Sequence, residues 1–200
     1  MQLTEFLTAC LALGQSVLDS SEKNAALVAL ATALQRDDPA LRSACAELMA
    51  PEFSDYMAQE LLSDRTCKVL LVVMRAGGVI GLHNHPRQYG FICCLDGRVR
   101  VDAYDTLGQE GDMGLLRFCS SVSLGPGEHT DLLPEERNVH RLEATEPAVV
   151  IDVFMPPLLE ENRTLCRRYE DPPPARPREV VRAKIVPPPT ALGQPATGST

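Results

Sequence analysis

The chain has no CxxC pair and no regular cysteine spacing: Cys10, Cys45, Cys67, Cys93, Cys94, Cys119 and Cys166 are odd in number and scattered. That pattern speaks against a disulfide framework and a zinc ribbon, and reduced thiols in a cytoplasmic compartment fit best, with the nucleus left open. Clustered lysine and arginine are also missing, and the formal charge is -8. Gripping a phosphate backbone needs such clusters, so nucleic acid is not expected as a ligand. No apolar run reaches the ~18 residues of a membrane span, so no membrane contact is expected. The opening MQLTEFLTACLALGQ lacks a basic start and carries Glu5, unlike a secretory signal. Tryptophan is absent, aromatics reach only 4%, and no internal repeat is found. What is present is an ordinary globular mix, 44% apolar and 23% charged, in 200 residues that suffice for one domain with appendages and one site. A monomer is expected.

Residues 1–50 read as a small helical section. Leu3, Phe6, Leu7, Cys10, Leu13 and Val17 recur at three- and four-residue intervals, the stripe of an amphipathic helix. A second helix is predicted from near Ser21 through Leu34. The third is the best punctuated: Asp38 can cap the first free amides, Pro39 has no amide to lose, and Leu41, Ala44, Cys45 and Leu48 form the buried stripe.

Residues 51–186 have a different texture. KVLLVVMR at 68–75 reads as a strand, Gly77-Gly78 as a turn, and GFICCLDGRVRVDAY at 90–104 as two strands of a hairpin joined at Asp96-Gly97. Short strands are predicted at 113–118, 121–124, 139–144 and 147–154, with turns at Gly111-Asp112 and Gly125-Pro126-Gly127. Many short strands with regular turns point to a mainly β barrel or sandwich. Eight of the sixteen prolines lie beyond Asp171, where only 179–186 could add a strand; residues 187–200 are a Pro-rich tail expected to be disordered.

Only four histidines occur, and IGLHNHPRQYGF at 80–91 holds two of them. Residues i and i+2 of a strand share a face, so His83 and His85 present adjacent imidazoles, and Pro86 should end or bend the strand just beyond. Such a pair taken alone reads first as a surface or hydrogen-bonded pair. His129, in the acid-rich GPGEHTDLLPEE, reads as a solvated loop residue. Cys93 and Cys94 must face opposite sides of their strand and read as small core residues.

The spacing around the pair changes its meaning. Gly77, five residues, His83-x-His85, four residues, Gly90, six residues and Gly97 resemble the first motif of the cupin superfamily, in which two histidines and usually a glutamate bind one metal inside a double-stranded β-helix barrel. Gly90 stands at the glutamate position, and His140 at that of the remaining histidine. LHNHP at 82–86, LDGRVRV at 95–101, RNVH at 137–140, IDVFMPP at 151–157 and Cys166 to Tyr169 are, in that order, similar to the thiol dioxygenases comprising 2-aminoethanethiol dioxygenase and the plant cysteine oxidases. The resemblance spans roughly residues 65–186.

It implies a cupin barrel behind the helical section, and a mononuclear Fe(II) enzyme that adds both atoms of O2 to cysteamine or to an N-terminal cysteine of a peptide or protein, giving a sulfinic acid. His83, His85 and His140 inherit the iron, and Asp152 a catalytic place near substrate; Arg87, Tyr89 and Asp152 become candidate substrate-binding residues. Three imidazoles suit Fe(II) and leave positions open for substrate and O2. With no protein carboxylate, the metal's charge favours the substrate thiolate. Asp152 is equally readable as a strand-end aspartate hydrogen-bonded to backbone. Arg87-Gln88 replaces the family's Gly-Met, Leu158 stands where a tyrosine is frequent, and Arg168 stands at the tyrosine of a CxY pair, so no Cys-Tyr crosslink is predicted. The alternative is a cupin that binds metal or a small molecule without redox turnover.

Overall fold

Three helices precede eleven strands in the computed structural model, which describes all residues except 51, 135, 159–163 and 187–200. The expected disordered tail lies outside the described residues. Helices α1 (Leu3–Gln15), α2 (Ser20–Ala33) and α3 (Pro39–Met49) follow from their caps. The Leu41 amide donates to Asp38 Oδ1 at 3.0 Å, with Pro39 first in α3. Asp19 and Glu22 cap α2 reciprocally, at 2.9 and 3.0 Å. Val17 departs from expectation: the Ser16 amide and hydroxyl both bond back to the Leu13 carbonyl and close α1, leaving Val17 fully exposed beyond it.

The strands are β1 (Tyr56–Ser63), β2 (Lys68–Met74), β3 (Val79–Asn84), β4 (Tyr89–Asp96), β5 (Val99–Glu110), β6 (Met113–Leu124), β7 (His129–Leu132), β8 (Val139–Ala144), β9 (Ala148–Met155), β10 (Arg168–Tyr169) and β11 (Val180–Val186). One sheet runs β1-β2-β9-β4-β7; the other closes in the order β10-β11-β6-β5-β8-β3. This is the expected mainly β double-stranded β-helix with a helical start, with three corrections. Asp96-Gly97 is not a hairpin, because β4 pairs with β7 and β9 while β5 pairs with β6 and β8, so the turn carries the chain from one sheet to the other. Gly97 has φ 71° there and backs onto the Pro147 carbonyl, where a side chain has no room. The two strands predicted at 113–118 and 121–124 are one, β6, hairpinned to β5 at Gly111-Asp112. His129 opens β7, opposite Cys93, rather than lying in a loop.

Period-2 alternation sorts the five-stranded sheet's side chains into two cores. Ile151, Val153, Phe91 and Leu71 face the helices, where they meet Phe6, Leu27 and Leu41 in one buried cluster. Val72, Ile92 and Val150 face the second sheet and meet Val101 and Leu142. Cys93 joins the first cluster and Cys94 the second, opposite faces as expected. Burial of each large side chain is worth about 1.5–3 kcal/mol, so the helices are held to the sheet by core packing rather than by a tether.

Candidate metal centre

The register of β3 against β8 sets His83 directly opposite His140, which puts the two rings on one face of the sheet. A bulge between Ile80 and His83 resets the alternation, and β3 ends at Asn84, just before Pro86. His85 therefore sits past the strand end, anchored by its own amide to the Asn138 carbonyl at 2.8 Å. The three rings meet with centroids 4.6–4.7 Å apart. Nε2 of His85 is 2.9 Å from Nε2 of His83 and 3.0 Å from Nε2 of His140. All three predicted ligands are thus brought together.

Their outer nitrogens decide what those inner atoms can be. Nδ1 of His83 lies 2.8 Å from the Gly81 carbonyl, which can only accept, so the proton sits on Nδ1 and Nε2 turns a lone pair inward. The Gln88 side chain hydrogen-bonds His85 and donates its amide to the Pro156 carbonyl at 3.0 Å. Phe154 stacks on His85 at 4.7 Å and 12°. Burial lowers the basicity of all three rings: His83 falls to about 4, helped by the nearby charge of Arg168, and His85 and His140 fall well below the ordinary value, with neighbouring imidazoles adding to burial. Neutral, inward-facing nitrogens at this spacing suit a cation. Cis ligands at imidazole–metal distances of ~2.0–2.1 Å are ~3.0 Å apart, against the 2.9 and 3.0 Å seen. The residues present fit a metal of the imidazole-binding class, iron included.

Among the described residues no carboxylate joins the three-histidine group. A Cβ on Gly90 would run into the Val153 carbonyl of the adjacent strand, so backbone packing keeps the glutamate position empty of any side chain. Asp152 shares the inward face of β9 with Phe154 and Val150. It is partly exposed as a residue, but its Oδ1 is fully buried with no hydrogen-bond partner, and burial raises its carboxyl well above the usual carboxylate range. Arg87 is exposed in the left-handed region, φ 61°, at the turn after His85. Tyr89 lies apart: its ring belongs to the cluster under the helices, on the far face of β4 from the histidines. His129 sits on the edge strand β7, outside the three-histidine group.

Sequence reasoning missed three supporting residues. Gln88 holds His85, Phe154 stacks on it, and Asn84 ties β3 to the segment after 164. Asn84 accepts from the Arg167 amide at 2.6 Å, donates to the Leu165 carbonyl at 3.0 Å, and bonds through its own amide to the Arg167 carbonyl at 3.1 Å. A signal existed only for Gln88, as one of the two residues where the motif departs from its relatives.

Fold and site together define a double-stranded β-helix protein with a three-histidine metal centre. The profile of the PCO_ADO family matches residues 32–190, and the chain belongs to that family of thiol dioxygenases. It is 24% identical to the 2-aminoethanethiol dioxygenase of Homo sapiens over 181 residues, covering 76% of this chain and 67% of the relative. To the Mus musculus 2-aminoethanethiol dioxygenase it is 28% identical over 134 residues, 54% of this chain and 51% of the relative, so the chain spans about half of that protein. Similar solved structures include KdgF from Halomonas sp., at 19% identity and TM-score 0.40 over 53% of this chain and 84% of that one. Another is a Klebsiella pneumoniae protein with a double-stranded β-helix domain, at 18% identity and TM-score 0.43 over 56% and 81%.

Proposed function

We propose that this chain is an Fe(II)-dependent dioxygenase that converts a thiol to a sulfinic acid, RSH + O2 → RSO2H, acting on cysteamine or on an N-terminal cysteine of a peptide. Sulfur loses four electrons, O2 gains four, and both oxygen atoms end on sulfur. The supporting observation is the convergence of three neutral Nε2 atoms, with a collision at Gly90 keeping that position without a side chain. His83, His85 and His140 hold the ion, which when bound supplies a redox-active Lewis acid whose uncompensated charge favours the substrate as thiolate.

The chain's own residues do the rest. Asp152 offers a buried oxygen without a partner, which can accept a substrate ammonium or the thiol proton. Phe154, stacked on His85, gives that side of the site an apolar wall. Gln88 and the Gly81 carbonyl hold the rings of His85 and His83 in the tautomers that ligation requires. A cytoplasmic setting is part of this reading, and among the described residues no helix is long and apolar enough to cross a membrane. The protein acts as a monomer in this reading.

The test is oxygen uptake by anaerobically iron-loaded protein given cysteamine or a peptide with N-terminal cysteine, with a product heavier by about 32 Da, two oxygen atoms. Iron bound at the histidines with neither thiol consumed rejects the reading. In His83→Ala, bound iron should drop from about one per chain toward none, as expected when one of three ligands is removed. Unchanged metal content would favour a non-redox cupin with its ligands elsewhere.

A further inference from the structure

The three ligands are not held alike. His83 and His140 sit opposite each other in the β3–β8 ladder, whereas His85 lies beyond the last pair of that ladder, Asn84 with Val139. Its amide instead donates to the Asn138 carbonyl at 2.8 Å, so the place of the third ligand depends on how residues 137 and 138 run into β8. Arg137 is left-handed there, φ 50°, a conformation that an arginine keeps only where its surroundings hold it.

The hold comes from Asp105. This residue lies on β5, one position past the Tyr104–Val139 pair and directly opposite Arg117 of β6. It is buried, and its two oxygens have separate tasks. Oδ1 accepts from the Arg137 amide at 2.7 Å, while Oδ2 accepts from Arg117 Nη2 at 2.7 Å and Nε at 3.2 Å. Burial pushes the carboxyl up, but the Arg137 amide and the Arg117 guanidinium outweigh it and hold the group below the usual carboxylate range. The neighbouring Thr106 hydroxyl donates to Asn138 Oδ1 at 3.3 Å, and the Asn138 side-chain amide donates to the Pro134 carbonyl at 3.1 Å. β5 thus grips both residues that lead into β8.

We propose that Asp105 is a positioning residue of the metal centre: it anchors the Arg137 amide, aims the Asn138 carbonyl at the His85 amide and so sets the third ligand in advance of metal binding. A ligand set works only when each donor is held within about 0.5 Å of its productive place, and β3 itself no longer holds His85. The ion pair with Arg117 keeps the carboxylate from swinging away from the Arg137 amide. This positioning rests on the three histidines holding a metal and is independent of turnover.

The test is cobalt(II) titration of the full chain, read by ligand-field absorption, alongside denaturant midpoints, for wild type, Asp105→Ala and Asp105→Asn. Both variants lose the ion pair to Arg117, and both should be less stable. Asparagine keeps an oxygen for the Arg137 amide, so its cobalt affinity should stay within about 3-fold of wild type, whereas alanine should lose about 10–100-fold, the usual effect of removing support from behind a metal ligand. The cobalt spectrum should change in Asp105→Ala alone. Glu143→Gln, which breaks a comparable ion-paired carboxylate on β8, with Arg100 and Arg141, should leave affinity unchanged. Wild-type affinity in Asp105→Ala, or an equal loss in Asp105→Ala and either Asp105→Asn or Glu143→Gln, overturns the assignment. If Asp105→Ala does not fold, hydrogen exchange of the metal-free wild type decides. The Arg137 and His85 amides should then exchange at least ~100-fold more slowly than in free peptide, and exchange at the free-peptide rate overturns the assignment. Cobalt binding needs no turnover, so the dioxygenase reading can fail in the oxygen-uptake assay while these affinities still decide on Asp105.

Discussion

At Gly90 the choice between a three-histidine and a three-histidine-plus-carboxylate centre is made by backbone packing. A methyl group there already meets the Val153 carbonyl. Gly90→Ala and Gly90→Glu should therefore both lose about 3 kcal/mol, the upper range for overpacking, and the glutamate should fail to become a fourth ligand. Denaturant midpoints together with cobalt spectra check this; a stable Gly90→Glu protein with a changed coordination spectrum contradicts it. Asp152 shows the opposite balance, a group kept at a cost. Because its carboxyl is raised by burial, the stability linked to it is present below the unfolded value of about 3.9 and is lost as pH climbs through the folded one. At neutral pH the metal-free protein carries that penalty along with an unpartnered Oδ1. Asp152→Asn should raise the Tm of metal-free protein by roughly 2–4 °C at pH 7, with the gain vanishing near pH 4, while turnover falls by about 10²-fold or more. A variant less stable at pH 7 would mean the carboxylate is structurally satisfied.

Among the elements, the turn from His85 to Gln88 joins fold and site most closely. The Gln88 amide reaches the His85 carbonyl at 3.3 Å, and Arg87 between them holds φ 61°. Pro86 followed by a residue of positive φ is the pattern of a type II turn, which favours glycine at the second position. The left-handed conformation costs an ordinary residue about 1–2 kcal/mol, and glycine's extra freedom in the unfolded chain cancels about half. Arg87→Gly should thus add about 0.5–1 kcal/mol and leave metal affinity alone. Gln88→Leu keeps a buried side chain but frees the outer edge of His85, so cobalt affinity should fall about 10–100-fold with the fold intact. Titration calorimetry of the two variants separates the turn's geometry from its hydrogen bond.

The same scale shows what the sequence could reveal. Helix caps at Asp38 and Asp19 are local chemistry, and β2, β4 and β9 are apolar because both their faces are buried. β1 and β7 were not predicted as strands: they are the edges of their sheet, and YMAQELLS and HTDL take their conformation from one neighbour rather than from a pattern of their own. The Asp96-Gly97 turn was legible as a turn but not as a crossing between sheets, since the partners of β4 and β5 are fixed by long-range pairing. For the centre, the histidines were legible through spacing. Gln88 and Phe154 were not, because their contacts with His85 depend on tertiary approach.

At the scale of the whole molecule, helices and barrel share one core, and four thiols mark its continuity. Cys10 on α1 and Cys67 before β2 lie in the helix–sheet cluster with Cys93, and Cys94 lies between the sheets. Burial pushes Cys10 far above the usual thiol range, Cys67 to about 12, and Cys93 and Cys94 each to about 11. A raised thiol contributes stability that is complete below the unfolded value of about 9 and is lost as pH rises through the folded one, because the unfolded chain releases its proton first. Unfolding free energy should therefore fall between pH 9 and 11, each thiol adding about 1.4 kcal/mol per pH unit to the slope. Tyr89, Tyr104 and Tyr169, also raised by burial, add to the decline at the upper end. The thiol share is isolated by comparing wild type with Cys93→Ala and Cys10→Ala in denaturant titrations at each pH: each variant is less stable at pH 8 but should show a shallower slope above pH 9. If helices and barrel unfolded separately, Cys10→Ala would change the slope of only one of two transitions, whereas the shared core requires that both variants flatten a single one.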